Sequence, residues 1–303
     1  MSDGPLVYVV IVNWNGWRDT IECLESVFHI DYPRYRVIVC DNGSEDGSAD
    51  RIKGWAQGKP LILLETGGNL GYAGGNNVGL RYALTHADCD YVWLLNNDTV
   101  VTPGALGSMV KRMSESPEIG ICGASLLYYD RPDTVQALGG AEYNRWFGVP
   151  THIGVFERFE EMRIPADEIE RRMSYVVGAS MLVSRAFVES VGLMTEDCFL
   201  CGEEIDWALR GRGRFRLAYA PEAVVYHKEG ASLGSSSDPL AKSRAADYYS
   251  LRSRLTIARR HAPWMLPTVY LGLLGSAVNR ARRGQWDRVG MILRSMLNLP
   301  CEH

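Results

Sequence analysis

The sequence lacks the glycine signatures of two common nucleotide-binding folds. No G-x-x-x-x-G-K-[S/T] occurs in the chain, which excludes a P-loop, and no G-x-G-x-x-G follows the first predicted strand, which argues against a dinucleotide-binding domain. We find no internal repeat, and the one low-complexity run is a serine triplet at residues 235–237, which we interpret as a hinge. The first five residues run into a predicted strand without a basic start and an apolar stretch, so we expect no secretory signal.

Cysteine is sparse and its pattern does not predict disulfides. The chain has seven cysteines, an odd number, and Cys23, Cys40, Cys89 and Cys122 lie in apolar surroundings. This argues for a reducing compartment, so we expect a cytoplasmic protein. The C-x-x-C at residues 198–201 has redox or zinc spacing, but no second pair accompanies it, and we interpret its cysteines as small core residues.

Charge is unevenly distributed along the 303 residues. The net charge of -4 combines an acidic body with a basic tail, because residues 240–303 hold eleven Lys/Arg and three Asp/Glu. Such a tail is expected to meet something anionic, such as a lipid surface or a nucleic acid. With 46% hydrophobic and 22% charged residues, the composition is that of an ordinary soluble globular protein.

Strand and helix patterns alternate through the first 128 residues. Predicted strands lie at residues 6–12, 35–40, 60–64, 91–95 and 119–128. Predicted helices lie at residues 16–28, 48–57, 76–84 and 103–114. This alternation indicates βαβ units, and therefore an α/β fold with a mostly parallel sheet flanked by helices.

The pattern is less regular after residue 130. Residues 131–167 are mixed and indicate a variable loop or an edge-strand region, whereas residues 175–184 predict one strand. Further predicted helices lie at residues 185–191, 202–212, 241–261 and 285–297. Two short strands are predicted at residues 215–220 and 223–227.

Three predicted strands end in polar clusters. These are N-W-N-G at residues 13–16, D-N-G-S at 41–44 and N-N-D at 96–98. Because ligands of open α/β sheets gather at the carboxyl ends of strands, we expect the clusters to open on one crevice. The Asp98 carboxylate would suit Mg²⁺ or Mn²⁺ holding a diphosphate, although N-N-D alone is equally consistent with a turn that caps the next helix.

A loop with six glycines lies between the third strand and its helix, at residues 66–79. A helix entered through glycines can bring its backbone N–H groups close to phosphate. The alternative is a glycine-rich loop without a ligand, because glycine content by itself is weak evidence for a site.

Acidic residues and a histidine form a second candidate site. Glu203, Glu204 and Asp206 crowd next to a tryptophan, and burial there would raise the pKa of one carboxyl group enough to accept a proton near neutral pH. The alternative is a charged first turn, since acids favour a helix N-terminus. His227 follows a predicted strand and would suit Mn²⁺ beside Asp98, although a lone histidine is more often structural.

Six motifs follow one another between residues 6 and 232. They are V-V-I-V-N-W-N-G, V-I-V-C-D-N-G-S, G-N-L-G-Y-A-G-G-N-N-V-G, L-L-N-N-D, G-E-E-I-D-W-x-x-R and H-x-x-G-x-S. The ordered set resembles inverting family-two glycosyltransferases of the GT-A fold, most closely a bacterial rhamnosyltransferase-like branch. The resemblance implies a catalytic domain at residues 1–235, divided near residue 128 into a nucleotide-binding and an acceptor-side half, and a helical C-terminal extension at residues 236–303.

The resemblance further implies a sugar-nucleotide donor in the crevice, with Mg²⁺ or Mn²⁺ as cofactor. The donor-binding positions carried over from the family are Val12, Asn13, Asn15, Asp41, Gly71, Asn76, Asn96, Asn97 and Asp98. N-N-D matches the D-x-D motif, in which Asp98 would hold the metal, and His227 matches a position near the metal or the diphosphate. Asn96 in place of the first Asp leaves one fewer carboxylate for the cation.

The family's catalytic base is the second residue of a Glu-Asp pair, which assigns the role to Glu204. Because this position holds Glu rather than Asp, Asp206 and Glu203 are alternatives. The implied reaction is inverting transfer of a sugar, with L-rhamnose from dTDP-rhamnose as the first expectation, to a glycan or lipid-linked acceptor in cell-surface polysaccharide synthesis.

Two other functions compete with the glycosyltransferase interpretation. A sugar-1-phosphate nucleotidyltransferase would share the sheet, but it should carry a basic glycine-rich loop straight after the first strand, and residues 13–16 have no basic side chain. A non-catalytic nucleotide- or sugar-binding module would explain the crevice but leave the acidic cluster without a role.

The C-terminal extension contains an uncharged stretch at residues 262–279. Its length is at the margin for a spanning helix, and prolines and glycines interrupt it. Arginines follow, which favours a segment lying in the membrane interface at the inner face of the cytoplasmic membrane. Helices that cover the core, or a homodimer contact, are the alternative. The stretch is more apolar than nucleic-acid-binding surfaces usually are, so we expect no nucleic-acid partner.

Overall fold

The computed structural model describes residues 4–198, 201–228, 243–297 and 299. The serine triplet predicted as a hinge and the domain boundary predicted at residue 235 lie outside these residues, as does the G-x-S end of the last motif. The two-domain division therefore stays a prediction.

Twelve strands and ten α-helices make up the described chain. The strands are β1 Val7–Asn13, β2 Tyr35–Asp41, β3 Leu61–Glu65, β4 Tyr91–Asn96, β5 Thr99–Val101, β6 Ile119–Tyr128, β7 Arg131–Leu138, β8 Gly140–Asn144, β9 Val149–His152, β10 Tyr175–Val176, β11 Ser180–Ser184 and β12 Arg216–His227. The helices are α1 Trp17–Val27, α2 Ser48–Trp55, α3 Gly71–Leu84, α4 Ala105–Ser114, α5 Ala166–Arg172, α6 Arg185–Val191, α7 Glu203–Gly211, α8 Arg244–His261, α9 Leu266–Arg282 and α10 Trp286–Met296.

One large sheet organises the fold. Its strand order is β3-β2-β1-β4-β11-β6-β12-β5, and β7 pairs with β6 outside this path. The first four strands pair in parallel, whereas β11 runs antiparallel between β4 and β6, and β12 is parallel to β6. The α/β fold is thus confirmed. The expectation of a mostly parallel sheet holds only for the first half, because the later strands form a mixed arrangement.

This topology brings several chain segments to one edge of the sheet. Since β4 and β6 are both antiparallel to β11, they run in the same direction, and β12 runs with them. The carboxyl ends of β1, β2, β4 and β12 and the amino end of β11 therefore meet at the same edge. The register places Asn13 opposite Asp41, and it places Leu95, the residue before Asn96, opposite Ser180.

Two apolar layers cover the faces of the sheet. On β1, Val7, Val9 and Ile11 face the layer formed with α1, α2 and α4, while Tyr8 and Val10 face the layer formed with α3, α6 and α7. A strand with both faces buried needs a continuous apolar run, which is why these strands were recognisable in the sequence. None of the six described cysteines forms a disulfide.

Residues 131–184 differ most from the prediction. The segment predicted as a loop or edge strand contains β7, which pairs with β6, and a β8–β9 hairpin that joins β10 in a separate three-stranded sheet. The single strand predicted at residues 175–184 is wrong, because the chain breaks near Gly178 and β10 and β11 belong to different sheets. Local alternation of side chains does not show a change of partner strand. Conversely, the two strands predicted at residues 215–227 are one strand, β12, with an irregular register between Ala220 and Val224.

The last three helices form a layered extension with its own apolar core. Leu251 and Leu255 of α8, Leu273 of α9 and Ile292 of α10 are buried together. Helix α8 also packs on the body of the protein, where Ile257 joins a small cluster with residues of α7 and β10. Within the described residues, no helix combines the length and the apolarity needed to cross a membrane.

We expect Gly79→Ala to destabilise the fold, because a Cβ at this position in α3 would lie 2.3 Å from Cγ1 of Val10 in β1. Overpacking of this kind lowers the free energy of unfolding by about 1–3 kcal/mol, which exceeds the gain of about 1 kcal/mol in helix propensity. Gly107→Ala in α4 is the matched control, since its Cβ would meet no described atom within 4 Å. Urea unfolding should show a loss for Gly79→Ala and no loss for Gly107→Ala. Equal stabilities would contradict the close packing.

Candidate active site

Buried hydrogen bonds join the carboxyl ends of β1 and β2. Asn13 Nδ2 donates to Asp41 Oδ1 at 2.7 Å, and Ser44 donates from its hydroxyl to Oδ1 at 2.7 Å and from its backbone N–H to Oδ2 at 3.1 Å. The structure thus brings Asn13 and Asp41 together. A carboxylate has about four acceptor positions, so Asp41 has room for one further donor, such as an N–H of a nucleobase. Ser44 was not among the predicted site residues, although it lies in the D-N-G-S cluster.

Asn15 and Val12 shape the same corner of the crevice. Asn15 has a left-handed backbone (φ 51°), its N–H donates to Ser44 Oγ at 2.9 Å, and its Oδ1 accepts from the N–H of Glu45 at 2.8 Å. Asn15 therefore ties the loop after β1 to the loop after β2. Val12 packs against α3, where a Cβ on Gly75 would lie only 2.7 Å from its Cγ1.

The glycine-rich segment is largely helical. α3 begins at Gly71, five residues before the predicted start. The glycines in its first turns have a low helix propensity, so the sequence did not predict this part as helical. Asn42 stabilises the first turn of α3, since its Nδ2 donates to Asn69 Oδ1 at 3.2 Å and to the carbonyl of Gly71 at 3.1 Å. Asn76 is 2% exposed and donates to the carbonyl of Tyr72 in its own helix at 3.0 Å. Its position does not favour the donor-binding role that was predicted.

The side chains of the N-N-D motif point in different directions. Asn97 Nδ2 donates to Thr20 Oγ1 at 3.1 Å, so this residue secures the start of α1 rather than facing the crevice as predicted. Asn96 and Asp98 instead approach the histidine at the end of β12. The distance from Asp98 Oδ1 to His227 Nε2 is 3.1 Å, and that from Asn96 Nδ2 to the same nitrogen is 3.5 Å.

Gln136 of β7 orients His227. His227 Nδ1 lies 2.8 Å from Gln136 Oε1, and an amide oxygen can only accept, so Nδ1 carries a proton. In the neutral ring the lone pair of Nε2 then faces Asp98, which is the arrangement that outer hydrogen bonds impose on metal-binding histidines. The sequence carried no signal for Gln136, because residues 131–167 were predicted only as a variable loop or an edge-strand region and the two residues are 91 positions apart.

The geometry of Asp98 and His227 fits a divalent metal. Adjacent ligands of an octahedral ion with bonds of about 2.1 Å lie about 3.0 Å apart, close to the observed 3.1 Å. A carboxylate oxygen with an imidazole nitrogen suits Mn²⁺ in particular. The described residues contain no group of three or more His, Cys, Asp or Glu that could hold a metal ion. The remaining ligands would therefore come from a bound diphosphate and water.

A cavity of about 490 Å³ connects this pair with the acidic cluster at the start of α7. Its lining includes Asn96 and His227 at the sheet edge and both Glu203 and Glu204. Glu203 is 1% exposed, and its Oε2 has no hydrogen-bond partner among the described residues. Burial, together with the nearby charge of Glu204, raises the pKa of Glu203 well above its usual value.

Glu204 is the more accessible member of the pair. Its Oε1 lies close to Gly178, because a Cβ added to Gly178 would be only 2.4 Å from this oxygen. The hydroxyl group of Tyr72 donates to the carbonyl of the same glycine at 2.6 Å. Burial raises the pKa of Glu204, while backbone N–H groups of Glu204, Gly202 and Gly178 partly oppose the shift. Two adjacent buried carboxyl groups do not both ionise readily. Because Glu203 Oε2 has no hydrogen-bond partner among the described residues, whereas backbone N–H groups stabilise the charged form of Glu204, we expect Glu203 to hold a proton in preference to Glu204.

Asp206 does not belong to this cavity, which corrects its prediction as an alternative base. Arg210 Nε donates to its Oδ2 at 2.7 Å, and Arg260 and His261 contact its Oδ1 at 3.0 and 2.8 Å. Burial raises the pKa of Asp206, but the hydrogen bonds from these three side chains outweigh it and bring the pKa below its usual value. Asp206 thus joins α7 to α8 through its hydrogen bonds with Arg260 and His261.

We expect Glu203→Gln to flatten the pH dependence of stability. The folded-state pKa of Glu203 is raised, so the native protein keeps a proton that the unfolded chain releases above about pH 4.3. Between these two pKa values the free energy of unfolding falls as pH rises, by up to about 1.4 kcal/mol per pH unit. Gln cannot ionise, so the contribution of Glu203 to this slope should disappear in urea unfolding measured from pH 5 to 8, which leaves a shallower slope. Glu222→Gln, at an exposed position, should keep the wild-type slope, and an identical slope in both variants would refute the assignment.

Comparison with known proteins places the sequence and the fold among glycosyltransferases. The family model "Glycosyl transferase family 2" matches residues 8–187. The low-salt glycan biosynthesis hexosyltransferase Agl10 of Haloferax volcanii is 24% identical over 207 residues, which are 67% of this chain and 61% of that protein. The poly-beta-1,6-N-acetyl-D-glucosamine synthase of Staphylococcus aureus is 24% identical over 209 residues, 69% of this chain and 46% of that protein. The chain thus spans less than two thirds of the length of these curated relatives.

A solved structure shows the same fold. The mannosyltransferase PcManGT from Pyrobaculum calidifontis, determined in complex with GDP-Man and Mn²⁺, matches with a TM-score of 0.60 at 17% identity, covering 97% of this chain and 85% of that one. The family model covers more than half of the chain, including the crevice from Asn13 to Asp98. This chain therefore belongs to glycosyl transferase family 2.

Proposed function

We propose that this chain transfers a sugar, with inversion, from a nucleoside-diphosphate donor to a hydroxyl group of an acceptor. The observation that carries the proposal is the single cavity that borders both His227, beside Asp98, and Glu204. It offers a place for a leaving diphosphate and a place for a proton acceptor within one cavity. A non-catalytic binding module would not need a buried, raised-pKa carboxyl pair beside the ligand.

The sheet edge would hold the donor. Asn13 and Asp41 would contact the nucleobase, since Asp41 retains one acceptor position, and Asn96 lies beside the metal pair. Asp98 and His227 would hold Mn²⁺ or Mg²⁺, and the cation would stabilise the charge that develops on the departing diphosphate. The structure of PcManGT, which contains Mn²⁺ together with GDP-Man, supports this inference.

Glu204 would act as the general base. It accepts the proton of the acceptor hydroxyl while the hydroxyl oxygen forms a bond to the anomeric carbon. The bond between that carbon and the diphosphate oxygen breaks on the opposite side, so a single displacement inverts the anomeric centre. Glu203 keeps its own proton and so adds no second negative charge to the cavity.

The sugar and the acceptor are inferred from resemblance. L-Rhamnose from dTDP-rhamnose is the first donor to test, because the ordered motifs most resemble the rhamnosyltransferase-like branch. The relatives are named for hexosyl, N-acetylglucosaminyl and mannosyl transfer, so UDP-N-acetylglucosamine and GDP-mannose belong in the same panel. We infer a glycan or lipid-linked saccharide of the cell surface as the acceptor.

We further propose that the extension contacts an anionic membrane surface. Leu271, Leu274 and Val278 of α9 follow helical spacing and are 62%, 42% and 50% exposed, so they form an apolar face. Exposed Arg282 and Arg283 follow directly. An apolar face beside arginines is the composition of helices that lie in the interface of a bilayer with anionic lipids.

The function is tested by nucleoside diphosphate release from dTDP-rhamnose, UDP-N-acetylglucosamine and GDP-mannose, with Mn²⁺ or with EDTA. We expect one donor to be consumed, and only with the metal. Glu204→Gln should lower the rate about 100-fold or more, while thermal shifts show that nucleotide binding persists. The exposed Glu222→Gln variant should keep full activity. Absence of release from every donor would refute the transferase, and a fully active Glu204→Gln would refute the base.

The membrane contact is tested by co-sedimentation with vesicles. The double variant Leu271→Ser/Leu274→Ser should lose binding to vesicles that contain phosphatidylglycerol, because it removes the apolar contacts. The double variant Arg282→Gln/Arg283→Gln should lose most of this binding, because it removes the attraction between the arginines and the anionic lipid. Wild-type protein should bind purely zwitterionic vesicles several-fold more weakly. Unchanged sedimentation of the leucine variant, together with a loss of dimer in light scattering, would favour the homodimer contact instead.

A further inference from the structure

Arg254 is a cation inside the cavity without a matching anion among the described residues. Its Nε is buried and has no hydrogen-bond partner there, and its side chain lines the same cavity as Glu204. Burial lowers the pKa of the Arg254 guanidinium, which reflects the unfavourable removal of a charge from water. The residue as a whole is half-buried. Because buried polar atoms are normally hydrogen-bonded, the unpartnered Nε makes this guanidinium a candidate to pair with a ligand that binds into the cavity.

The nearest acid on the same helix is already neutralised. Asp247 lies two turns before Arg254 in α8 and is 4% exposed. Arg280 Nη2 donates to both of its carboxylate oxygens at 2.8 Å, and Arg288 Nη1 donates to Oδ2 at 3.1 Å. Two arginines therefore contact this one carboxylate, so Asp247 already has cationic partners other than Arg254.

The phenol of Tyr143 does not supply the missing negative charge either. Burial raises the pKa of Tyr143 to about 12, so its hydroxyl is neutral at physiological pH. A neutral hydroxyl beside the guanidinium is an additional hydrogen-bond donor for an anion rather than a counterion. The lining of this region thus combines a cation with donors, as an oxyanion site requires.

Backbone contacts fix the position of Arg254 relative to the proposed base. A Cβ on Gly202, the residue before α7, would lie 2.9 Å from Cβ of Ser253, so α8 crosses directly over the start of α7. A Cβ on Gly148, in the β8–β9 turn, would lie 2.9 Å from Cβ of Arg254. Arg254 of α8 thus lies against the β8–β9 turn, next to the helix start that carries Glu204.

We propose that Arg254 binds an oxyanion, a phosphate or a carboxylate, carried by the acceptor, and so places the acceptor hydroxyl at Glu204. The inference rests on the proposed function, because it identifies the second substrate of the same cavity. A guanidinium pairs with such groups through two parallel hydrogen bonds. Neutral acceptors should bind more weakly, since they would leave the guanidinium without a paired anion. Both the phosphate of a lipid-linked saccharide and the carboxylate of an acidic sugar provide this chemistry.

The experiment measures anion binding without turnover. The donor site of the full-length protein is first saturated with the nucleoside diphosphate that binds best, together with Mn²⁺, and methyl phosphate or glucuronate is then titrated by calorimetry. Wild type should bind at least one of them, and Arg254→Gln should weaken that binding at least tenfold. Arg259→Gln removes the same charge from an exposed position of α8 and should behave as wild type. Preference for methyl phosphate indicates a phosphorylated acceptor, and preference for glucuronate an acidic sugar.

Two results would overturn the proposal. One is equal anion affinity in Arg254→Gln and Arg259→Gln. The other is loss of nucleoside diphosphate affinity in Arg254→Gln, which would place the guanidinium in the donor site. Should Arg254→Gln fail to fold, Arg254→Lys decides, because it keeps the charge but cannot form the paired hydrogen bonds, and unchanged affinity would contradict the role. Failure of the proposed function itself would appear separately, as absence of nucleoside diphosphate release.

Discussion

The site depends on the parallel pairing of β1 with β2 on one side and with β4 on the other. Because parallel strands end at the same edge, the register that sets Asn13 opposite Asp41 and Val12 opposite Asn96 collects the polar strand ends in one place. The antiparallel insertion of β11 keeps β6 and β12 running in the direction of β4. His227, at the end of β12, thereby reaches Asp98 although 129 positions separate the two residues in the chain. The contact between Asp98 and His227 therefore depends on this strand order.

Desolvation then divides the buried ionisable groups into different roles. Asp206 and Asp247 are each held by two arginines, and they join α7 and α9 to α8. Glu203 has no such cation among the described residues, so it keeps its proton, and Glu204 faces the cavity beside it. Arg254 lines the same cavity, and its Nε has no hydrogen-bond partner among the described residues. Chemically similar side chains therefore differ in function because their partners differ.

Much of the secondary structure was predictable, and the failures have a common cause. The predicted bounds of β6 and α6 agree with the structure, since both segments have a clear periodicity and recognisable ends. Residues 175–184 appear continuous in sequence, yet the chain changes sheets near Gly178, where Glu204 approaches the backbone. Asn97 and Asp98 are neighbours in one motif, but only Asp98 faces His227. Periodicity reports which face is buried, and it does not identify the partner.

The sequence by itself determined the α/β alternation, the three polar strand ends and the order of the family motifs, because these properties reside in local periodicity and in residue type. Only the tertiary structure decided which acidic residues are available for chemistry. Asp206 is excluded by Arg260, 54 positions away, and His227 is oriented by Gln136, 91 positions away. The physical reason is that pKa values and ligand geometry depend on desolvation and on neighbours that the fold brings together from distant parts of the chain.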